Sequence, residues 1–182
     1  MNGGTVENLF GGSNVSGTTN NNNVKVNGGT ALNVYGGNNA GGKTTNSTVN
    51  IYGSTVAENV YGGGKNAATD YTQVNIYSGT IGNVYGGGEG TPAIINHNTD
   101  VIIRDGTIGN VYGGGNAGNV VGETLVSLLN GSVSGSVFGS GNAASTGLDG
   151  STSLSTVNLF SGNITGNVYG GANSSVVNGS AY

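Results

Sequence analysis

The chain has 182 residues, of which 34% are apolar, 39 are glycine and only 7% are charged, with a net charge of −4 and no cysteine. This composition excludes one large hydrophobic core, disulfides and thiolate metal sites, and four basic residues against eight acidic ones leave no stripe to neutralise a phosphate backbone, so nucleic acid is excluded as a partner. No apolar run reaches the roughly 20 residues that cross a bilayer as a helix, and no basic-then-apolar leader follows Met1, so membrane insertion is not expected and any export signal would lie outside this sequence.

From the N-terminus, the run Asn8-Leu9-Phe10-Gly11 returns as Asn33-Val34-Tyr35-Gly36, Asn59-Val60-Tyr61-Gly62, Asn83-Val84-Tyr85-Gly86, Asn110-Val111-Tyr112-Gly113, Ser136-Val137-Phe138-Gly139 and Asn167-Val168-Tyr169-Gly170. The aromatics are spaced by 25, 26, 24, 27, 26 and 31 residues, a period that marks solenoids and arrays. Ahead of four of these motifs stand the segments opening at Val49, Val74, Val101 and Val157. In the second, Val74 and Ile76 alternate with Asn75 and Tyr77, which is strand periodicity with apolar side chains in and polar or aromatic ones out. After a bend at Ser78-Gly79, Ile81 and then Val84 turn inward again, so each repeat reads as two or three short strands separated by corners.

One such repeat cannot bury its apolar face alone, whereas stacking it on a copy about 4.8 Å away joins the strands into parallel sheets. The predicted fold is therefore all-β, a parallel β-solenoid (β-helix) of about seven coils of ~25 residues, forming one repeat domain over 1–182. Stacking predicts internal columns Val49-Val74-Val101-Val126-Val157 and Ile51-Ile76-Ile103-Leu128-Leu159. Glycines are expected at corners that need positive φ or close backbone approach, and the motif asparagines either in left-handed backbone or in ladders from coil to coil. The variable polar segments 38–48, 65–73, 89–100 and 142–156 are expected as projecting loops or as an irregular third side.

Comparing 26–31 with the termini predicts that Asn2 and Asn178 share one phase, so that seven turns advance a subunit by roughly 34 Å. Neither end carries a helical or polar cap, and an uncapped strand edge at each end is a template for head-to-tail addition, which gives a filament when the contact does not close. The residues expected at that interface are Asn2, Gly3, Thr5, Val6, Leu9 and Phe10 on one side and Val176, Val177, Asn178, Ala181 and Tyr182 on the other. The alternative is a sequence cut from a longer array.

The string Gly-Thr-Ile-Gly-Asn-Val-Tyr-Gly-Gly-Gly, present as 79–88 and 106–115, resembles the glycine-rich GNVYGGG-type repeat regions of large cell-surface and secreted, adhesin-like β-solenoid proteins of gut and other anaerobic bacteria. That resemblance implies an extracellular parallel β-solenoid with an adhesive or structural role, and it carries over no catalytic residue.

Glu89, His97, Asp100, Arg104 and Asp105 are the densest polar patch and are suited to proton abstraction or glycoside cleavage, but acids do not recur at equivalent coil positions, so no catalytic residues and no enzyme are expected. Repeated calcium sites would place an aspartate after the glycines, where this chain has Lys65, Glu89, Asn116 or Asn142, so neither metal nor cofactor is expected. Thr5, Thr30, Thr55, Thr80 and Thr107 form one column without the second rank of an ice-binding face. Tyr52, Tyr77 and Phe160 share an outward phase suited to stacking on sugars or on a neighbouring fibre. The expected function is a structural subunit of an extracellular bacterial filament whose partner is another copy of itself; the alternative is an adhesin or phage-type fibre segment that offers loops and outward aromatics to surface glycans.

Overall fold

The computed structural model describes residues 1–148 and 153–182, and among them every regular element is a strand. They form a parallel β-solenoid of about seven turns. One complete turn shows the plan: β8 (Thr124–Leu128), β9 (Ser132–Val133) and β10 (Val137–Phe138) are three short strands separated by corners, and each pairs with its equivalents in the turns before and after. Where the corners are shallow the strands run together, as in β4 (Lys43–Tyr61) and β5 (Ala68–Tyr85).

The register stacks like on like. Val24, Val49, Val74, Val101, Val126 and Val157 are paired in series, as are Val26, Ile51, Ile76, Ile103, Leu128 and Leu159. Two further inward columns run through Ala31, Val56, Ile81, Ile108 and Val133, and through Val34, Val60, Val84, Val111 and Val137. Together these side chains make a narrow rod-like core, against which the partly buried Met1, Val6, Leu9, Val157 and Ile164 pack. β-branched residues suit it because their stiff side chains pack well on a pleated surface.

The motif aromatics form a second apolar stack. Phe10, Tyr35, Tyr61, Tyr85, Tyr112, Phe138 and Tyr169 lie face over face, with centroids 4.6 to 5.0 Å apart and interplanar angles of 12° or less. The five inner rings are buried.

Glycine has two separate duties here. At Gly79, Gly106, Gly131 and Gly162, equivalent corners before the threonine column, φ lies between 98° and 126°, which a side chain resists. The glycine after each aromatic has ordinary φ but no room: a Cβ at Gly36 would fall on the carbonyl oxygen of Gly62, and one at Gly62 on that of Gly86. The asparagines take no left-handed backbone, since all positive φ values among the described residues belong to glycine. They form ladders instead: Asn33 Nδ2 donates to Asn8 at 3.2 Å, Asn59 to Asn33 at 3.1 Å, Asn83 to Asn59 at 3.1 Å and Asn110 to Asn83 at 2.9 Å. Even the outward-facing Asn50 and Asn75 are buried: Asn50 donates to Asn23 at 3.1 Å and accepts from Asn75 at 3.2 Å, and Asn75 accepts from Arg104 at 2.8 Å.

The variable segments are the third side of the coil, not projecting loops. Residues 43–48 of β4 pair on one flank with β2 (Thr18–Val26) and on the other with β5, and a bridge column Thr69-Ile95-Val120-Thr146-Val177 carries this side through the later turns. Of the segment 142–156, residues 149–152 lie outside the described residues.

Candidate functional site

The ends of the rod are open edges. Among the described residues β1 (Asn2–Phe10) pairs only with β3 (Gly28–Tyr35) and β2 only with β4, so the first turn presents an open backbone edge along Asn2, Gly3, Thr5, Val6, Leu9 and Phe10. At the other end β12 (Asn163–Ile164), β13 (Val168–Tyr169) and β14 (Gly179–Ala181) each have one partner. Six large apolar side chains are exposed in this last turn: Leu159, Phe160, Val168, Tyr169, Val176 and Tyr182. Leu159, Ile164, Val168 and Tyr169 continue the columns that begin with Met1, Val6, Leu9 and Phe10.

Asn2 and Asn178 do not share a phase. Asn2 pairs with Gly28 at the corner before the threonine column, whereas Asn178 donates its N–H to Thr146 and leads into Gly179, which pairs with Ser153 on the third side. The likeness of 26–31 to 177–181 is compositional, and the misreading comes from matching letters without the intervening register. The true phases nearly meet all the same: Met1 bridges the Val26 position and Tyr182 the Thr156 position, which traces back to Asn23, so only the places of Val24 and Lys25 separate them.

The asparagine ladders give the rod a direction. In every Asn-to-Asn side-chain bond, from Asn27 onto Asn2 at 2.8 Å to Asn173 onto Asn142 at 2.8 Å, the later turn donates and the earlier accepts. Asn14 therefore keeps its Nδ2 group towards the first face and Asn173 its Oδ1 towards the last, in one column.

The other sequence candidates fall at separate places. Tyr52 and Tyr77 stack at 4.4 Å, and the Arg104 guanidinium lies 4.7 Å over Tyr77, so the rings spend their faces on each other; Phe160 stands apart at the last turn, 71% exposed. The Glu89, His97, Asp100, Arg104, Asp105 group does not assemble. Glu89 accepts from Tyr35 Oη at 2.5 Å, His97 stacks on Tyr71, Asp100 accepts from Gln73, Arg104 donates to Asn75 at 2.8 Å, and Asp105 caps the Gly106 N–H. Among the described residues no three His, Asp or Glu side chains gather as a metal site. Thr5, Thr30, Thr55, Thr80, Thr107 and Ser132 do align in one column.

Electrostatics follow burial. The Tyr85 hydroxyl is pushed up to about 12 by burial in the aromatic stack, Tyr61 is raised in the same sense, and Tyr35 is raised by burial and by its bond to Glu89. Burial alone would raise Asp70, but bonds from Lys43 at 2.8 Å and from Asn96 at 2.8 Å outweigh it and hold the carboxyl below its usual range.

A groove of about 480 Å³, for which the sequence carries no signal, runs along the third side, bounded by outward side chains of several successive turns. The alternation that exposes positions 71 and 73 was visible, but which turns sit beside them was not. No protein-family model, curated protein or solved structure matches the chain.

Proposed function

We propose that this protein is a structural subunit of an extracellular bacterial filament that grows by head-to-tail stacking of β-solenoids. The observation that carries this reading is the match between the two end faces. The aromatic ladder is open at Phe10 and at Tyr169, and the Val/Ile columns are open at Leu9 and at Val168. A second copy set on the last turn extends the columns that begin with Met1, Val6, Leu9 and Phe10, covers the exposed apolar cluster and pairs with the open strand edges, with only the places of Val24 and Lys25 left unfilled between copies. The one-way ladders favour this orientation, because the Asn14 donor then meets the Asn173 acceptor, while two first faces would set donor against donor and two last faces acceptor against acceptor. The resemblance to cell-surface repeat regions supports the extracellular setting.

Electron microscopy of concentrated protein tests the reading. Long fibres of uniform width with an axial repeat near 34 Å are expected from seven turns at about 4.8 Å. Val168→Lys and Val177→Lys each place an unpaired charge in a dry junction and are expected to stop elongation without loss of strand signal. Particles that stay monodisperse at high concentration, or fibres indifferent to both substitutions, would overturn it. The adhesin alternative finds its support on a different surface, the third-side groove.

A further inference from the structure

The groove lies on the sheet formed by the third-side strands of β4, β5, β6 (Thr99–Ile103), β8 and β11 (Ser153–Leu159). One wall is the outward column that contains Tyr71 and Glu123, and the other is the column of Thr48, Gln73, Asp100 and Leu125. Backbone at the floor is engaged between turns, as in the bonds from Thr72 N–H to Asn98 and from Thr99 N–H to Glu123, so the groove offers no strand edge to a peptide.

Its chemistry is that of a polyhydroxyl ligand. Two carboxylates and no Lys or Arg line it, which disfavours anionic glycans, nucleic acid and phospholipid head groups. Asp100 accepts from Gln73 Nε2 at 3.1 Å through one oxygen, while its other oxygen is buried with no donor among the described residues. A buried acceptor of this kind is costly until an O–H or N–H reaches it. Tyr71 is 47% exposed: His97 covers one ring face at 4.4 Å, and on the other side its column neighbour is the short Asn46, whose amide is engaged with Asn21 at 2.9 Å. A sugar ring fits the next place in that stack, since an apolar ring face packs on a π-face while its hydroxyls reach polar neighbours.

We propose that this groove binds a neutral oligosaccharide, with Tyr71 stacking on one sugar ring and Asp100 accepting a hydrogen bond from a sugar hydroxyl. The site deepens the glycan-binding alternative, on residues other than Tyr52, Tyr77 and Phe160, and does not depend on filament growth.

The test is native affinity electrophoresis of the full chain in gels containing soluble mixed-linkage β-glucan, galactomannan, xylan or α-mannan, with polygalacturonate as the anionic control. Retardation by at least one neutral polysaccharide and not by polygalacturonate is expected, weakened at least about tenfold by Tyr71→Ala and by Asp100→Ala and unchanged by Tyr77→Ala. Running the Val168→Lys variant in parallel separates the two readings, because the groove is complete within one subunit. Circular dichroism confirms folding of each variant. Absence of retardation by all four neutral polysaccharides, or retardation that survives both groove substitutions, overturns the proposal. Binding of spermine without any neutral polysaccharide overturns it in favour of a cation site.

Discussion

Asn83 donates its side-chain amide to Oδ1 of Asn59 at 3.1 Å and accepts from Asn110 at 2.9 Å, so one residue links three turns of the rod. Asn83→Ala leaves an acceptor below and a donor above without partners, at a cost of about 1–3 kcal/mol. Urea unfolding checks this, and an unchanged midpoint would show that the ladder contributes no stability.

Tyr61 lies between Tyr35 and Tyr85 in the aromatic stack, 5.0 and 4.9 Å from them. Tyr61→Ala removes both stacking contacts and opens a cavity, with an expected loss of about 3 kcal/mol. Tyr61→Phe keeps the ring and is expected to be nearly neutral. Tyr35→Phe strips Glu89 of the hydroxyl it accepts from and is expected to cost about 1 kcal/mol, read by the same denaturation.

Gly86 and Gly3 separate the steric duty of glycine from composition. A Cβ at Gly86 would fall on the Gly113 carbonyl oxygen, whereas at Gly3 it meets nothing. Gly86→Ala is expected to lower the melting temperature by several degrees, in line with a loss of about 1–3 kcal/mol from overpacking, and Gly3→Ala to leave the monomer's unchanged. Equal effects would refute close approach as the reason for the post-aromatic glycine.

The aromatic stack also sets an alkaline limit. Tyr85 ionises near 10 when unfolded and only at about 12 in the fold, because burial disfavours the phenolate, and Tyr35, Tyr61 and Tyr112 are raised in the same sense. Above pH ~10 the unfolded chain binds fewer protons than the folded one, so the stabilisation is whole below that pH and is lost as pH rises towards 12. Spectrophotometric titration is expected to show buried tyrosines ionising late and together with loss of strand signal. Early, reversible ionisation of all tyrosines in the folded rod would contradict it.

Acid acts through a different pair. Asp70 is held below its ordinary pKa despite burial, so the stability it contributes is present above the unfolded carboxylate range and lost as pH falls through the folded value. Lys43 is half exposed, and Lys43→Met is expected to cost under about 1 kcal/mol at neutral pH and to flatten the acid limb of the stability curve. A larger loss, or an acid limb of unaltered slope, would assign that limb to other groups.

Much of this architecture was legible in the letters because a stacked coil repeats each environment at a near-constant interval. Periodicity alone therefore placed the Val and Ile columns, the threonine column, the aromatic row and the corner glycines. What depended on register could not be read that way. Asn178 looked like Asn2 yet lies on another side of the coil, because turns of unequal length shift the phase of everything after them. The sequence left the variable segments either as projecting loops or as an irregular third side because they share no motif, and only backbone pairing from turn to turn decides for the third side. Local alternation settles which way a side chain points, whereas its neighbours come from residues some 25 positions away, as Tyr71, His97 and Asp100 show at the groove. Those neighbours, and with them the direction of the asparagine ladders, exist only once the turns are stacked.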